Sequence, residues 1–194
     1  MKLEQQVLDQ LFLKARSHNG WQATPVSDEQ LKQIYALMRM GPTSANSCPA
    51  RLVFIKSPEA KQKLKACLDE GNVAKSMTAP VVAIIGMDLE FYEQLPKLFP
   101  HTDARAWFVG KTEKIAQTAF RNSSLQGAYF IMAVRSLGLD AGPMSGFNSQ
   151  KLDETFFPGG TVKSNFICAI GYGDENKLYP RGPRLEFDEA CQIV

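Results

Sequence analysis

Histidine is scarce in this chain, and cysteine is thinly spread. Only two histidines, His18 and His101, stand among 194 residues. The four cysteines, Cys48, Cys67, Cys168 and Cys191, include no CxxC pair, so no metal site is expected. Long hydrophobic runs are also missing. The run from Val81 to Gly86, like every other, is far short of the roughly 20 residues a membrane span needs. Neither sign of charge dominates: 22 Lys and Arg face 20 Asp and Glu, without the basic excess of a nucleic-acid binder. The opening MKLEQQVLDQLF carries acids and no apolar centre, which excludes a signal peptide and points to a cytoplasmic protein with reduced thiols. There are no repeats, and no Walker or GxGxxG spacing. What remains is an ordinary globular composition, 44% apolar and 22% charged, of a length that suits one domain over residues 1–194.

Hydrophobic spacing supplies the elements. Leu3, Val7, Leu11 and Phe12 predict an amphipathic helix over residues 3–15. Ser27 with Gln30 resembles a capping box, opening a helix with an apolar stripe at Leu31, Ile34, Tyr35 and Met38 that Gly41-Pro42 stops. Leu52 to Ile55 reads as a short strand. Ser57-Pro58 starts a helix ending near Gly71. Val81 to Gly86, apolar on both faces, reads as a central strand. Residues 88–112 hold Pro96 and Pro100 with little periodicity, as lids and binding loops do. A long helix from about Glu113 to Leu137 is apolar almost all round, at Phe120, Leu125, Ala128, Tyr129, Ile131, Met132 and Val134, and so predicts burial, in part against a second subunit. A helix at 149–157 and a strand at 166–170 follow. The elements mix without regular alternation, so helices packed on a mixed sheet are expected.

Three segments carry more polar or glycine content than their surroundings need. They are ARSHNGW (Ala15–Trp21), GPTSANSCPAR (Gly41–Arg51) and GLDAGPMSGF (Gly138–Phe147). Glycines allow close approach of backbone to a flat or anionic ligand. By themselves these segments fit a ligand-binding α/β enzyme, with a nucleotide among the ligands. They equally fit a helix-end cation, a cap and a tight turn.

Taken together and in order, they resemble the FMN-dependent nitroreductase family. Arg16-Ser17 and Trp21 fall on its first motif, Pro42, Asn46 and Pro49 on its second, and Gly138-Leu139 with Gly146-Phe147 on its third. IGYGD (Ile170–Asp174) and the tail PRGPRLEFDEA extend the likeness to the whole chain. The segments HNGW, LFPHTDARAWF, AFRNSS and GPMSGF are most similar to the family's malonic semialdehyde reductases of pyrimidine degradation. The resemblance implies an α+β fold of three α-β-α layers, a mixed and mostly antiparallel central sheet flanked by helices, and a homodimer with FMN at its interface. It implies FMN contacts from Arg16, Ser17, His18, Asn19, Thr43, Ser44, Asn46, Pro143, Met144, Ser145, Gly146, Arg181 and Arg184. The arginines would take the phosphate, and the backbone near Ser145 and Gly146 would face the flavin N5 edge.

The implied reaction passes hydride from NADPH or NADH through the flavin to a small carbonyl, nitro or quinone acceptor, with no protein nucleophile. For malonic semialdehyde the product is 3-hydroxypropionate, and Arg105 and Arg121 are the candidate partners for its carboxylate. A broad nitro or quinone reductase is the alternative, and a non-catalytic flavin carrier or sensor is a third reading. The chain departs from the family pattern at Ala15, Asn19, Cys48 and Ala50, where the family has Arg, a basic residue, Gln and Trp. The change at Asn19 removes a cation from beside the flavin pyrimidine ring. The change at Cys48 places a small thiol where a longer amide would reach. No histidine adjoins Cys48, which therefore reads as a packing residue rather than a nucleophile.

Overall fold

The computed structural model describes residues 2–194. Its frame is a four-stranded sheet of β1 (Ala50–Ile55), β2 (Val81–Asp88), β3 (Asp140–Met144) and β4 (Val162–Gly171), in the order β1-β2-β4-β3. All three ladders are antiparallel, and the parallel element expected of a mixed sheet is reduced to an isolated bridge between Ser17 and Ala141. The helices are α1 (Gln5–Leu8), α2 (Asp28–Met38), α3 (Pro58–Lys65), α4 (Glu70–Thr78), α5 (Leu95–Leu98), α6 (Thr112–Ser136), α7 (Ser149–Phe156) and α8 (Phe187–Ala190).

The two-residue period of β2 builds the three layers. Val81, Ala83 and Ile85 face one cluster with Leu31, Ile34 and Met38 of α2 and Phe130 and Val134 of α6. Val82 and Ile84 face the other, with Leu64 of α3 and Leu152 of α7. Burying both faces explains the unbroken apolar run. A bulge lies between Ile85 and Gly86, where the partner on β4 jumps from Phe166 to Ser164. The extra residue, Asn165, donates from its amide to Ser123 Oγ (2.8 Å) and Ser124 Oγ (2.9 Å) of α6.

Ser27 caps α2 as its sequence predicts, and its box with Gln30 is complete. Tyr35 of the expected stripe is instead exposed. The helix begun at Ser57 breaks into α3 and α4, because the chain between them pairs with the third motif: Leu68 bridges Phe147, and the Asp69 N–H donates to Gly146 O at 3.2 Å. The glycine-rich segment, read as a turn, is largely strand β3. Pro143 fits there because β3 is an edge and one N–H can be spared.

The N-terminal helix is short: α1 runs on into a π-turn at Asp9–Leu13, and Leu3, Val7, Phe12 and Leu13 are exposed. The long α6 is present, but its burial is the reverse of a wholly apolar core helix. Asn122, Ser123 and Gln126 are buried, while Phe120, Leu125, Ala128 and Tyr129 face outward. Residues 88–112 do not form a loose loop. Phe91, Leu95, Ala104 and Phe108 make a third cluster over Ala119 of α6.

Candidate active site

Five of the expected cofactor residues converge on one cleft of about 640 Å³. Arg16, Ser17 and Asn19 line it from the N-terminal side, and Arg181 and Arg184 from the tail. Arg135, from the last turn of α6, lines it as well and was not among the sequence candidates. No acidic side chain belongs to the lining. The four arginines instead hold backbone carbonyls. Arg16 Nη2 donates to Tyr179 O at 2.5 Å, and Arg181 Nη2 donates to Leu13 O and Ala15 O at 2.9 and 3.0 Å. Arg184 Nη1 donates to Gly182 O and Pro183 O. Arg135 Nη1 donates to Leu11 O at 2.9 Å, and its buried Nε has no partner among the described residues. Burial lowers the Arg135 pKa from its ordinary value. Four guanidinium groups without one carboxylate concentrate positive charge where an anion would be held by charge-assisted bonds.

His18 points away from this cleft. It is buried, with Nε2 3.3 Å from Asp140 Oδ1 and Nδ1 unpartnered. Asp140 also accepts the Gly173 N–H at 2.9 Å. The His18 N–H donates to Ala141 O at 3.2 Å, beside the Ser17–Ala141 bridge. These contacts fasten the first motif to β3. A side chain at Gly142 would put its Cβ 2.5 Å from His18 O, so only glycine permits this approach. β3 then delivers the third motif: Met144 is buried with Ser76 Oγ 3.6 Å from its sulfur, whereas Pro143 and Ser145 are exposed. Asn72 donates to Gly146 O at 2.7 Å and holds the backbone there.

The second motif lies apart from the arginine cleft within the single chain. Ala45, Asn46 and Cys48 all have positive φ, at 51°, 48° and 41°. Three left-handed non-glycine residues in four store strain, which persists only where the surroundings enforce it. Asn122 enforces it from α6, accepting the Ser44 N–H at 2.8 Å, and Thr43 Oγ1 accepts the Cys48 N–H at 3.1 Å. Asn46 Nδ2 donates to Leu98 O at 2.9 Å. The loop borders a second cavity, of about 480 Å³, with Arg39, Arg51 and Lys97 on its walls.

The two arginines expected to meet substrate differ from each other. Arg105 is bound to Glu93 through Nε (2.7 Å) and Nη2 (2.8 Å), which raises its own pKa and lowers that of Glu93. Arg121 is exposed beside Phe120 and Leu125, with no ion pair among the described residues. Arg135, Asn122 and Gln126 were missed by the sequence reading. Their one signal was polarity inside an otherwise apolar helix.

The sequence model of the nitroreductase family matches residues 13–173, which include all three motifs. The chain belongs to the nitroreductase family. A relative in Polynucleobacter asymbioticus is 63% identical over 99% of this chain and 98% of its own, and carries the provisional name NADH dehydrogenase/NAD(P)H nitroreductase. Two solved structures share the nitroreductase fold. One, from Exiguobacterium sibiricum, is described as a nitroreductase in complex with FMN. It has a TM-score of 0.84 and 18% identity over 100% of this chain and 98% of that one. The other, from Staphylococcus epidermidis, is described as an NAD(P)H:FMN oxidoreductase, with a TM-score of 0.86, 18% identity and the same coverage. The family match ends at Gly173, so Arg181 and Arg184 bring charge to the cleft from outside the matched region.

Proposed function

We propose that the protein is an FMN-dependent NAD(P)H oxidoreductase working as a homodimer. The observation that carries this is the acid-free cleft of Arg16, Arg135, Arg181 and Arg184, stitched through Ser17 and His18 to the glycine-bearing edge at Gly142–Gly146. The donor set fits the cofactor: planar guanidinium groups suit a phosphate dianion, and the buried Arg135 Nε is left without a partner. Named relatives and neighbours that use NAD(P)H or hold FMN support the same reading.

In this reading Arg16, Arg135, Arg181 and Arg184 hold the phosphate, with Ser17 beside them. Asn19 offers an amide to the ring edge, and the exposed backbone at Pro143–Gly146 offers N–H groups without bulk. His18, paired with Asp140 and turned inward, keeps this segment against β3 rather than touching the ring. Thr43, Ser44 and Asn46 belong to the partner half of the site, because their loop is separate from the cleft of their own chain. Bound FMN supplies two-electron hydride transfer between NAD(P)H and the acceptor.

For the acceptor we propose malonic semialdehyde, whose aldehyde carbon gains hydride and whose oxygen gains a proton to give 3-hydroxypropionate. The support is the similarity of LFPHTDARAWF, AFRNSS and GPMSGF to that subgroup. Reduction of nitro compounds or quinones is the second reading, favoured by the name of the 63%-identical relative. Under anaerobic conditions the purified protein is expected to be yellow, to bleach with NADPH or NADH, and to recover its colour on adding malonic semialdehyde. A protein that bleaches but recovers only with nitro compounds or quinones selects the second reading. A colourless protein that takes up no FMN overturns both.

A further inference from the structure

Apart from Asn46, the lining of the cavity beside the strained loop is left unused by the flavin reading. The cavity measures about 480 Å³, and its lining includes Arg39, Asn46, Cys48, Arg51, Lys97 and Gln126 but no acidic side chain. Its three cations are not equivalent. Arg51 is committed, with Nη2 2.5 Å from Asp88 Oδ2 and Nη1 donating to the carbonyls of Cys48 and Ala50, both at 3.0 Å. Among the described residues Arg39 and Lys97 have neither an ion pair nor a side-chain hydrogen bond, and they stand on different elements, the C-terminus of α2 and α5. Gln126 adds a neutral amide to the same wall. It is only 3% exposed, its Oε1 accepts the Ala50 N–H at 2.8 Å, and among the described residues its amide nitrogen makes no hydrogen bond.

We propose that this cavity holds the carboxylate of a small oxo-acid acceptor. Arg39 and Lys97 supply the charge and Gln126 supplies a hydrogen bond. The inference rests on the acceptor reading above and deepens it. It also accounts for Cys48, whose thiol stands where a longer amide would occupy space. Its sulfur lies 3.4 Å from Asn46 Oδ1, and both Cys48 and Gln126 line the cavity. Arg105 is a weaker anchor, because a substrate carboxylate would have to displace Glu93 from a two-pronged ion pair. The phosphate of NADPH is the competing anion. A carboxylate is preferred because the lining offers two free cations and one neutral amide, without the arginine cluster that distinguishes the first cleft.

The test uses Arg39→Gln, Lys97→Gln and Gln126→Glu in the FMN-loaded dimer. Gln126→Glu retains an acceptor for the Ala50 N–H while placing an acid in the cavity. Each variant is expected to lower kcat/KM for malonic semialdehyde, relative to that for a neutral quinone, about tenfold, as loss of a charge-assisted contact does. A separate readout is calorimetric binding of malonate, expected to weaken by a similar factor in the variants. Malonate binding does not depend on turnover, so a colourless protein would sink the flavin reading while still testing the anion site. Unchanged malonate affinity with an unchanged aldehyde-to-quinone ratio in both Arg39→Gln and Lys97→Gln overturns the proposal. So does a rise confined to the KM for NADPH, which would assign the cations to the hydride donor. If Gln126→Glu fails to fold, the two surface variants alone decide.

Discussion

Single residues in this protein do work that their neighbours in sequence conceal. Arg16 lines the cleft, and the one hydrogen bond its side chain makes among the described residues is to a backbone carbonyl of the tail, Tyr179 O. Replacing that neutral acceptor by a phosphate strengthens the bond. Arg16→Ala should therefore weaken FMN retention by about 1.5–3 kcal/mol, roughly ten- to a hundredfold in Kd. Fluorescence titration of the apoprotein with FMN checks it, and unchanged affinity removes Arg16 from the site. Cys168 shows the opposite case, a group the fold has silenced. Burial pushes its thiol up from 9.0 to about 12. The native state keeps the proton above pH 9, where the unfolded chain loses it, so this contribution to stability is whole below about pH 9 and is lost as pH rises towards 12. Cys168→Ala should flatten the fall in melting temperature across that range. An identical fall in the variant would show that the thiol does not contribute.

Among the elements, α6 ties the site together. Its buried polar side reaches the strained loop through Asn122 and β1 through Gln126, and its last turn places Arg135 in the arginine cleft. Its outer side exposes Phe120 (55%), Leu125 (47%) and Tyr129 (43%), more apolar surface than a soluble helix face ordinarily leaves bare. In the proposed homodimer this face meets the partner, which also joins the separated second motif to the other chain's cleft. Phe120→Glu with Leu125→Glu should shift sedimentation from dimer to monomer and release FMN in the same step. A dimer that survives both substitutions moves the interface elsewhere. β3 makes the complementary point. Gly142 and Pro143 are poor strand formers, yet β4 on one side and the Ser17–His18 segment on the other hold them extended.

At the scale of the whole molecule, the sheet works as a spacer. Its β3 edge carries the first and third motifs and its β1 edge carries the second, with β2 and β4 between. In the proposed flavin site the motifs of the two edges come from different chains. A second copy, turned to present its own second motif, would complete it. An interface of this obligate kind buries more than ~2,000 Å² in general. The exposed Leu3, Val7, Phe12, Leu185 and Phe187 at the chain's two ends are further apolar surface available to it.

Strong local patterns were legible without coordinates. The Ser27–Gln30 box, the doubly buried β2 and the extent of α6 follow from caps and period, which are properties of neighbouring residues. So was membership of the three motifs in one family, since order along the chain is preserved. The sequence could not say which arginines stay free, because Arg105 finds Glu93 twelve residues earlier while Arg135 meets the backbone of Leu11 from 124 residues away. It could not turn His18 inward, since that depends on Asp140 and on the space above Gly173. It also misread part of α6, where Val134 is buried as expected but Asn122, Ser123 and Gln126 face in and Phe120, Leu125, Ala128 and Tyr129 face out. Composition counts what a helix carries, whereas only packing against β1, β4 and the loop at residues 43–48 decides which side is covered.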